Sequence, residues 1–480
     1  MWAFDVAFYQ IYPLGFCGAP RVNEAEPPAT AGECPAGVAI MTPADSATAD
    51  GSSAGAAPIR KIADWADYLQ NLGIGAVILN PVFESDSHGY DTRDLTRIDH
   101  RLGTNADFAT VCAALRERGI RVVLDAVLNH VGRGFWVFQD LRAHGWESRY
   151  RDWFITNFDG NSGYNDGFWY EGWEGHFELV KLNLRNPEVV DYLLQCIRGW
   201  REEFGIDGLR LDVAYSLDRD FLRRLHGLSR ELSPDGEFVL IGETLHGDYN
   251  QLVNPEMLDS CTNYECYKGL YSALNSHNMF EIAHSLHRQF GADPWCIYRG
   301  KHLLSFADNH DVTRLASILT DAACVRPAYG VLFGMPGIPC LYYGSEWGAT
   351  GVKGAHDDFD LRPSFAEPEP NELTAYVMRL IAARSGRAEG VPAEDAVRAG
   401  RALCHGGYRN VRIASEQLVF ERACSDAAVL VAVNAASAPA TATAGELAGA
   451  FIDVLDGGAP VELAGSLELA PYETRYLLRA

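Results

Sequence analysis

The chain has no run of about 20 apolar residues, so no membrane-spanning helix is expected. Its start, Met1–Pro13, lacks the charged stretch and long apolar stretch of a secretion signal. No basic stripe interrupts a formal net charge of −24. A nucleic-acid partner, which requires Lys and Arg to displace counterions, is therefore excluded, and a neutral or cationic ligand suits the acidity better. No CxxC pair and no Cys/His cluster with zinc spacing occurs among the eleven cysteines. Several of them, such as Cys196 within Tyr192–Trp200, read as small buried hydrophobes. These absences point to a cytoplasmic protein with reduced thiols.

What is present is an alternation. Short apolar runs occur at Val6–Pro13, Ala76–Pro81, Arg121–Val127, Gly208–Asp212, Phe238–Glu243, Leu303–Ala307 and Ile338–Tyr343, with a weaker one near Asp259–Glu265. Between most of them lie stretches with apolar residues every three or four positions, as in Ile62–Leu72, Phe108–Leu115 and Val189–Trp200. Near-continuous apolar strands alternating with helices predict a parallel sheet buried on both faces. Eight such units predict an α/β fold, a (β/α)₈ TIM barrel, over residues 1–131 and 185–391. Residues 132–184, dense in aromatics, Gly and Asn, break the alternation and are expected to form an insert domain after strand 3. Residues 392–480 carry short β-type runs between Ala/Gly/Pro turns and are expected to form an all-β sandwich domain. The Ala/Pro/Gly/Ser-rich segment Gly18–Pro58 is expected to be a flexible, dispensable loop.

In such a barrel the chemistry gathers where the strands end. The third run ends in Asp125-Ala-Val-Leu-Asn129-His130, the fourth in Arg210-Leu-Asp212 and the fifth in Gly242-Glu243. The seventh is followed by Asp308-Asn309-His310-Asp311, and the second by His88-Gly89-Tyr90-Asp91. Any one of these could be a capping residue; five strand ends together are expected to make one site. Paired carboxylates at one mouth suit glycoside cleavage, with one attacking the anomeric carbon and the other donating a proton. Arg210 lies two residues before Asp212, so both face the same way on a strand, and its guanidinium is expected to keep Asp212 ionised. Glu243 has no adjacent cation in sequence, and an apolar setting would keep its proton.

These strings resemble the α-amylase superfamily, glycoside hydrolase family 13. Asp125–His130, Gly208–Asp212, Gly242-Glu243 and Phe306–Asp311 match its four signature regions in order. The resemblance implies Asp212 as nucleophile, Glu243 as acid/base and Asp311 as the carboxylate that grips sugar hydroxyls. It implies that His130 and His310 bond the same sugar, that Tyr90 stacks on it and that Arg210 orients Asp212. Val180-Lys181-Leu182-Asn183 is similar to a fifth region of the neopullulanase and cyclomaltodextrinase-like branch, and Asp358 with Arg362 to an element that contacts the next sugar. That branch usually carries an N-terminal β domain. Here the first strand begins within ten residues, so the domain is expected to be absent.

The implied function is a retaining α-glucosidic hydrolase acting on maltodextrins or cyclodextrins through a covalent glycosyl-enzyme, on α-1,4 bonds with some α-1,6 tolerance. Two alternatives stay open: a transferase on the same fold, and a non-catalytic carbohydrate-binding relative. The expected partner is an oligosaccharide, with no nucleic acid, no membrane and no prediction of oligomeric state. No cofactor is expected to be required and no metal ligand set is assigned. Asn129 resembles a calcium-ligand position in many amylases, but calcium takes six to eight oxygens and no others are identified, so calcium stays open. Lys181 reads equally as a sugar contact or a solvated loop residue.

Overall fold

The computed structural model describes residues 1–24, 56–355 and 357–480. Eight strands form the central sheet: β1 (Phe8–Ile11), β2 (Ala76–Leu79), β3 (Arg121–Ala126), β4 (Gly208–Leu211), β5 (Val239–Gly242), β6 (Ser260–Cys261), β7 (Leu304–Phe306) and β8 (Ile338–Tyr342). Every neighbouring pair is parallel, in the order β6-β5-β4-β3-β2-β1-β8-β7. A parallel bridge from Thr262 to Leu304 joins the two ends and closes the barrel.

Side chains alternate across each strand, and here both faces are buried. Phe8, Ile78, Val123, Val239, Ile241 and Ile338 belong to one core cluster, inside the barrel. Tyr9, Val77, Val122, Leu209 and Leu341 belong to the larger cluster under the surrounding helices. Helix Pro187–Phe204 shows how a helix is set: Asn186 caps its start by accepting from the Glu188 N–H, Pro187 takes the first turn and Gly205 ends it in the left-handed conformation. Its apolar stripe includes Val189, Leu193, Ile197, Trp200 and Phe204. Trp200 stacks on Phe83 at 4.5 Å and donates from Nε1 to the Leu95 carbonyl at 2.7 Å.

Within residues 132–184, helix Trp136–His144 packs Phe138 on Tyr170 at 4.9 Å, and strands Gly172–Trp173 and His176–Lys181 join His130–Gly132 in one antiparallel sheet. Phe135, Phe138, Trp153, Phe154, Phe168 and Tyr170 are buried there, so most of the aromatics of this segment are its own core.

The C-terminal sheet is antiparallel: β9 (Gly407–Ile413), β10 (Gln417–Ala423), β11 (Ala428–Asn434), β12 (Ala440–Asp453), β13 (Ala459–Leu469) and β14 (Thr474–Arg479), in the order β9-β10-β11-β14-β12-β13. It encloses a core of its own that includes Val419, Leu430, Leu447, Phe451 and Leu467. One segment departs from expectation: Ala393–His405 is a helix, not part of the β structure. Its buried face is mostly small, with Ala396, Ala399, Gly400 and Ala402, which hides the helical period in the sequence. The sheet docks on helix Val325–Gly334 at glycines. A Cβ at Gly330 would lie 2.3 Å from Thr474 Oγ1, and Tyr476 donates to the Gly330 carbonyl at 2.7 Å.

The expected loop Gly18–Pro58 lies mostly outside the described residues. At its described start Asn23 is buried, donating from Nδ2 to Glu84 at 2.5 Å and to the Ser85 carbonyl at 2.8 Å. Among the described residues no helix is long and apolar enough to cross a membrane.

Candidate active site

Alternation carried one step past the barrel core builds the mouth. Two residues beyond inward-facing Phe8, Ile78, Val123 and Ile241 stand Gln10, Asn80, Asp125 and Glu243, and Arg210 and Asp212 follow Gly208 by the same step. Register sets the neighbours: Asp125 is level with Arg210, and Arg210 with Ile241.

Arg210 is the hub. Its Nη1 donates to Asp125 Oδ1 at 2.8 Å and Oδ2 at 3.0 Å, and to Asp212 Oδ1 at 3.0 Å. Its Nη2 lies 2.8 Å from Glu243 Oε1. The expected upward shift of Glu243 by burial holds, but its setting is not apolar throughout, because Arg210 stands against it. The cation comes from the adjacent strand, which the order of residues along the chain does not show. Glu243 Oε2 accepts from the Val213 N–H at 3.0 Å. Val213 holds φ 40° and ψ 47°, a left-handed conformation that a β-branched residue rarely adopts. That turn aims its N–H at Glu243, a local strain of about 1–3 kcal/mol held by the surrounding packing.

Burial drives the carboxyls of Asp125, Asp212 and Glu243 upward, Arg210 opposes it, and neighbouring carboxylates reinforce it at Asp212 and Glu243. Three acids share one guanidinium, so the cluster retains a proton that a lone acid would release. Asp125 is tied up as an acceptor, receiving Asn80 Nδ2 at 2.8 Å and Tyr90 Oη at 2.9 Å besides Arg210. It supports the mouth rather than facing it.

Asp311 behaves oppositely. Burial would raise it, but the His310 ring against it and the positive charges of Arg362, Arg210 and Lys353 bring it below the usual carboxylate range. Burial also lowers the His310 imidazole itself, to about 3. Its Nε2 lies 3.2 Å from Asp311 Oδ2, while its Nδ1 faces Gln10 Nε2 at 3.0 Å. Arg362 Nη2 donates to Asp311 Oδ1 at 3.2 Å and lies 3.5 Å from Asp358. Lys353 Nζ donates to the Asp311 carbonyl at 2.8 Å.

His130 is also neutral, lowered to about 3 by burial. Asn129 Nδ2 bonds its Nδ1 at 3.2 Å, which leaves Nε2 buried with no hydrogen-bond partner, 3.8 Å from Asp212 Oδ2. An imidazole N–H held idle beside a carboxylate can donate to an incoming hydroxyl. Tyr90 stacks on His310 with centroids 5.7 Å apart and bonds its Nε2.

The structure thus gathers Asp212, Glu243, Asp311, Tyr90, His130, Arg210, His310 and Arg362, with Asp358 at the rim through Arg362. Asp91 does not join them; it holds its own loop, accepting from Ser87 Oγ at 2.6 Å. Lys181 pairs with Glu171 at 2.6 Å in the insert. Sequence reasoning passed over Gln10, Asn80 and Lys353. The first two were detectable as lone amides ending apolar strands. Trp173, 5.7 Å from the His130 ring, is the insert aromatic that reaches the mouth.

Asn129 Oδ1, at the position that resembles a calcium ligand, is a buried oxygen without a hydrogen-bond partner. Among the described residues, the groups of His, Cys, Asp and Glu close enough to hold an ion are Glu84–Asp99–His100 and His287–Asp293–Cys296. Neither includes a neighbour of Asn129 in sequence.

A family model described as the alpha-amylase catalytic domain matches residues 43–389. A cyclomaltodextrinase from Geobacillus thermopakistaniensis (strain MAS1) is 31% identical over 398 residues, 80% of this chain and 62% of its own. An intracellular maltogenic amylase from Bacillus subtilis (strain 168) is 31% identical over 339 residues, 68% of this chain and 54% of its own. The chain therefore spans less than two thirds of the length of these curated relatives. Among solved structures, the ligand-free cyclic alpha-maltosyl-(1→6)-maltose hydrolase from Arthrobacter globiformis matches with a TM-score of 0.77 at 26% identity, covering 100% of both chains.

Proposed function

The chain belongs to the alpha-amylase family, and on that premise we propose that it is a retaining glycoside hydrolase of short α-linked glucose chains or rings. The observation that carries this reading is Arg210 bridging Asp125, Asp212 and Glu243 at the barrel mouth, with Asp311 set among cations beside them.

Each group has a role that its surroundings support. Asp212, anchored by Arg210 through Oδ1, attacks the anomeric carbon. Glu243 holds the proton that the crowded cluster retains and gives it to the departing glycosidic oxygen. The bond from the anomeric carbon to that oxygen breaks as the bond to Asp212 forms. Glu243, now ionised, takes a proton from water, which displaces Asp212 and restores the starting state with the anomeric configuration retained. Asp311, His310 and His130 offer a carboxylate and two imidazole N–H groups to sugar hydroxyls. Tyr90 gives an apolar face to the ring.

The substrate class, maltodextrins and cyclodextrins, is supported by the activities for which the relatives are named. A site inside the cell is supported by the name of the maltogenic amylase and by ten described cysteines that are all free thiols. The test is incubation with maltotetraose, β-cyclodextrin and panose, with products and their anomers followed by NMR. Shorter α-anomeric products at first appearance are expected. Products longer than the input would replace hydrolysis by transfer, and no turnover of any of the three would overturn the substrate class.

A further inference from the structure

Away from the barrel mouth, helix Phe280–Phe290 runs into a short turn that brings three different metal-ligating side chains together. We propose that His287, Asp293 and Cys296 form a zinc site. One donor atom from each lies within 4.8 Å of the others. A thiolate, an imidazole and a carboxylate are the donor types zinc takes, and its tetrahedral geometry leaves the fourth place to water.

Three further observations point at a ligand. His287 Nδ1 is buried with no hydrogen-bond partner. Asp293 Oδ2 lies 2.9 Å from the other ring nitrogen, Nε2. That oxygen leaves Nε2 for the metal when zinc binds at Nδ1, and solvent takes its place on Nε2. Gly291 supplies the space. A Cβ at that position would lie 3.0 Å from His287 Nδ1 and 2.8 Å from Cys296 Sγ, so its absence keeps a gap open between the two.

The turn is held from both sides. The Cys296 N–H donates to the Asp293 carbonyl at 3.0 Å across Pro294 and Trp295. Ile297 and Tyr298 return hydrogen bonds to the carbonyls of Arg288 and Gln289. Tyr298 is buried and stacks on Tyr249 at 5.0 Å. Bonds of about 2.0–2.3 Å to zinc require the donors to close to about 3.5 Å of one another. Asp293, 52% exposed, can rotate to do so. The Cys296 thiol, which now points at the His287 carbonyl at 3.0 Å, releases its proton to solvent as the sulfur–metal bond forms. The site joins the helix to the turn leading into β7, so the metal acts as a clamp there.

The test uses Co²⁺ as a visible stand-in for zinc, titrated into the full reduced chain. One equivalent is expected to give a thiolate-to-cobalt charge-transfer band and tetrahedral d–d absorption, both displaced by Zn²⁺. Cys296→Ser is expected to abolish the charge-transfer band and weaken Zn²⁺ at least about 10-fold. His287→Gln is expected to do the same to affinity, while Cys424→Ser, a partly exposed thiol elsewhere, changes neither. A band that survives Cys296→Ser, or no charge-transfer band with excess Co²⁺, overturns the proposal. Circular dichroism of each variant separates loss of the site from loss of the fold.

Discussion

Both ends of the barrel bury arginines, and they are compensated in different currencies. At the mouth Arg210 faces the carboxylates of Asp125, Asp212 and Glu243. At the opposite end, Arg384 and Arg422 are also buried, but they meet only carbonyls. Arg384 donates to Phe333, Met335 and Gly337, and Arg422 to Gly334 and Gly406. Burial and the nearby Arg384 charge push the Arg422 guanidinium down to about 9. Carbonyls neither titrate nor react, so that end joins the barrel to helix Ala393–His405 and the C-terminal sheet. The mouth instead concentrates three ionisable acids, Asp125, Asp212 and Glu243, around Arg210. That crowding favours a retained proton among them.

The sharpest way to break this contrast is at the mouth. Glu243→Gln is expected to lower kcat by about 10²–10⁴-fold. Its melting temperature should not fall, because the change removes one of three acids crowding Arg210. A variant keeping a tenth of wild-type kcat would show that the proton comes from elsewhere. At the other end the effects exchange places. Arg422→Met is expected to destabilise the fold by about 3 kcal/mol, since it strands carbonyls that accepted from a charged donor. Its kcat per folded molecule should be nearly unchanged, because Arg422 bonds only the Gly334 and Gly406 carbonyls and none of the reacting groups. Urea unfolding and active-site-normalised rates measure both quantities, and a stable but inactive variant would refute the division.

A subtler test uses a buried acid that no guanidinium bonds. Glu346 follows β8 and accepts from Tyr9 Oη at 2.7 Å and Tyr68 Oη at 2.9 Å. Its second oxygen has no partner, and burial raises its carboxyl from 4.5 to about 7. Between those values the folded chain holds a proton that the unfolded chain has released. The stability this group contributes is therefore complete below pH 4.5 and is lost as pH rises through 7, by about 3 kcal/mol in all. Glu346→Gln should flatten that part of the stability profile and leave the variant the more stable form at pH 8. Parallel profiles from pH 5 to pH 8 would mean that the carboxyl is already ionised inside the fold.

Much of the site was legible because barrel chemistry sits at strand ends, and strand ends can be read from apolar runs. Asp125, Arg210, Asp212, Glu243 and the Asp308–Asp311 string each end such a run. The helix Ala393–His405 was not legible, because alanine and glycine form its buried face without the contrast that marks a period. Nor was the cation beside Glu243, which belongs to a different strand. The roles assigned to Lys181 and the insert aromatics divide in the same way: most of those aromatics fill the insert core, and Lys181 is held by Glu171.

By itself, the sequence determined which residues alternate inward along each strand, because that follows from local backbone geometry and a period of two. It therefore determined that acids, amides and an arginine would face one cavity. Only the tertiary structure decided who touches whom. Parallel register places Arg210 between Asp125 and Ile241, and the left-handed turn at Val213 points an N–H at Glu243. The charge balance that separates a reactive carboxylate from a structural one depends on distances between strands, and those exist only once the barrel has closed.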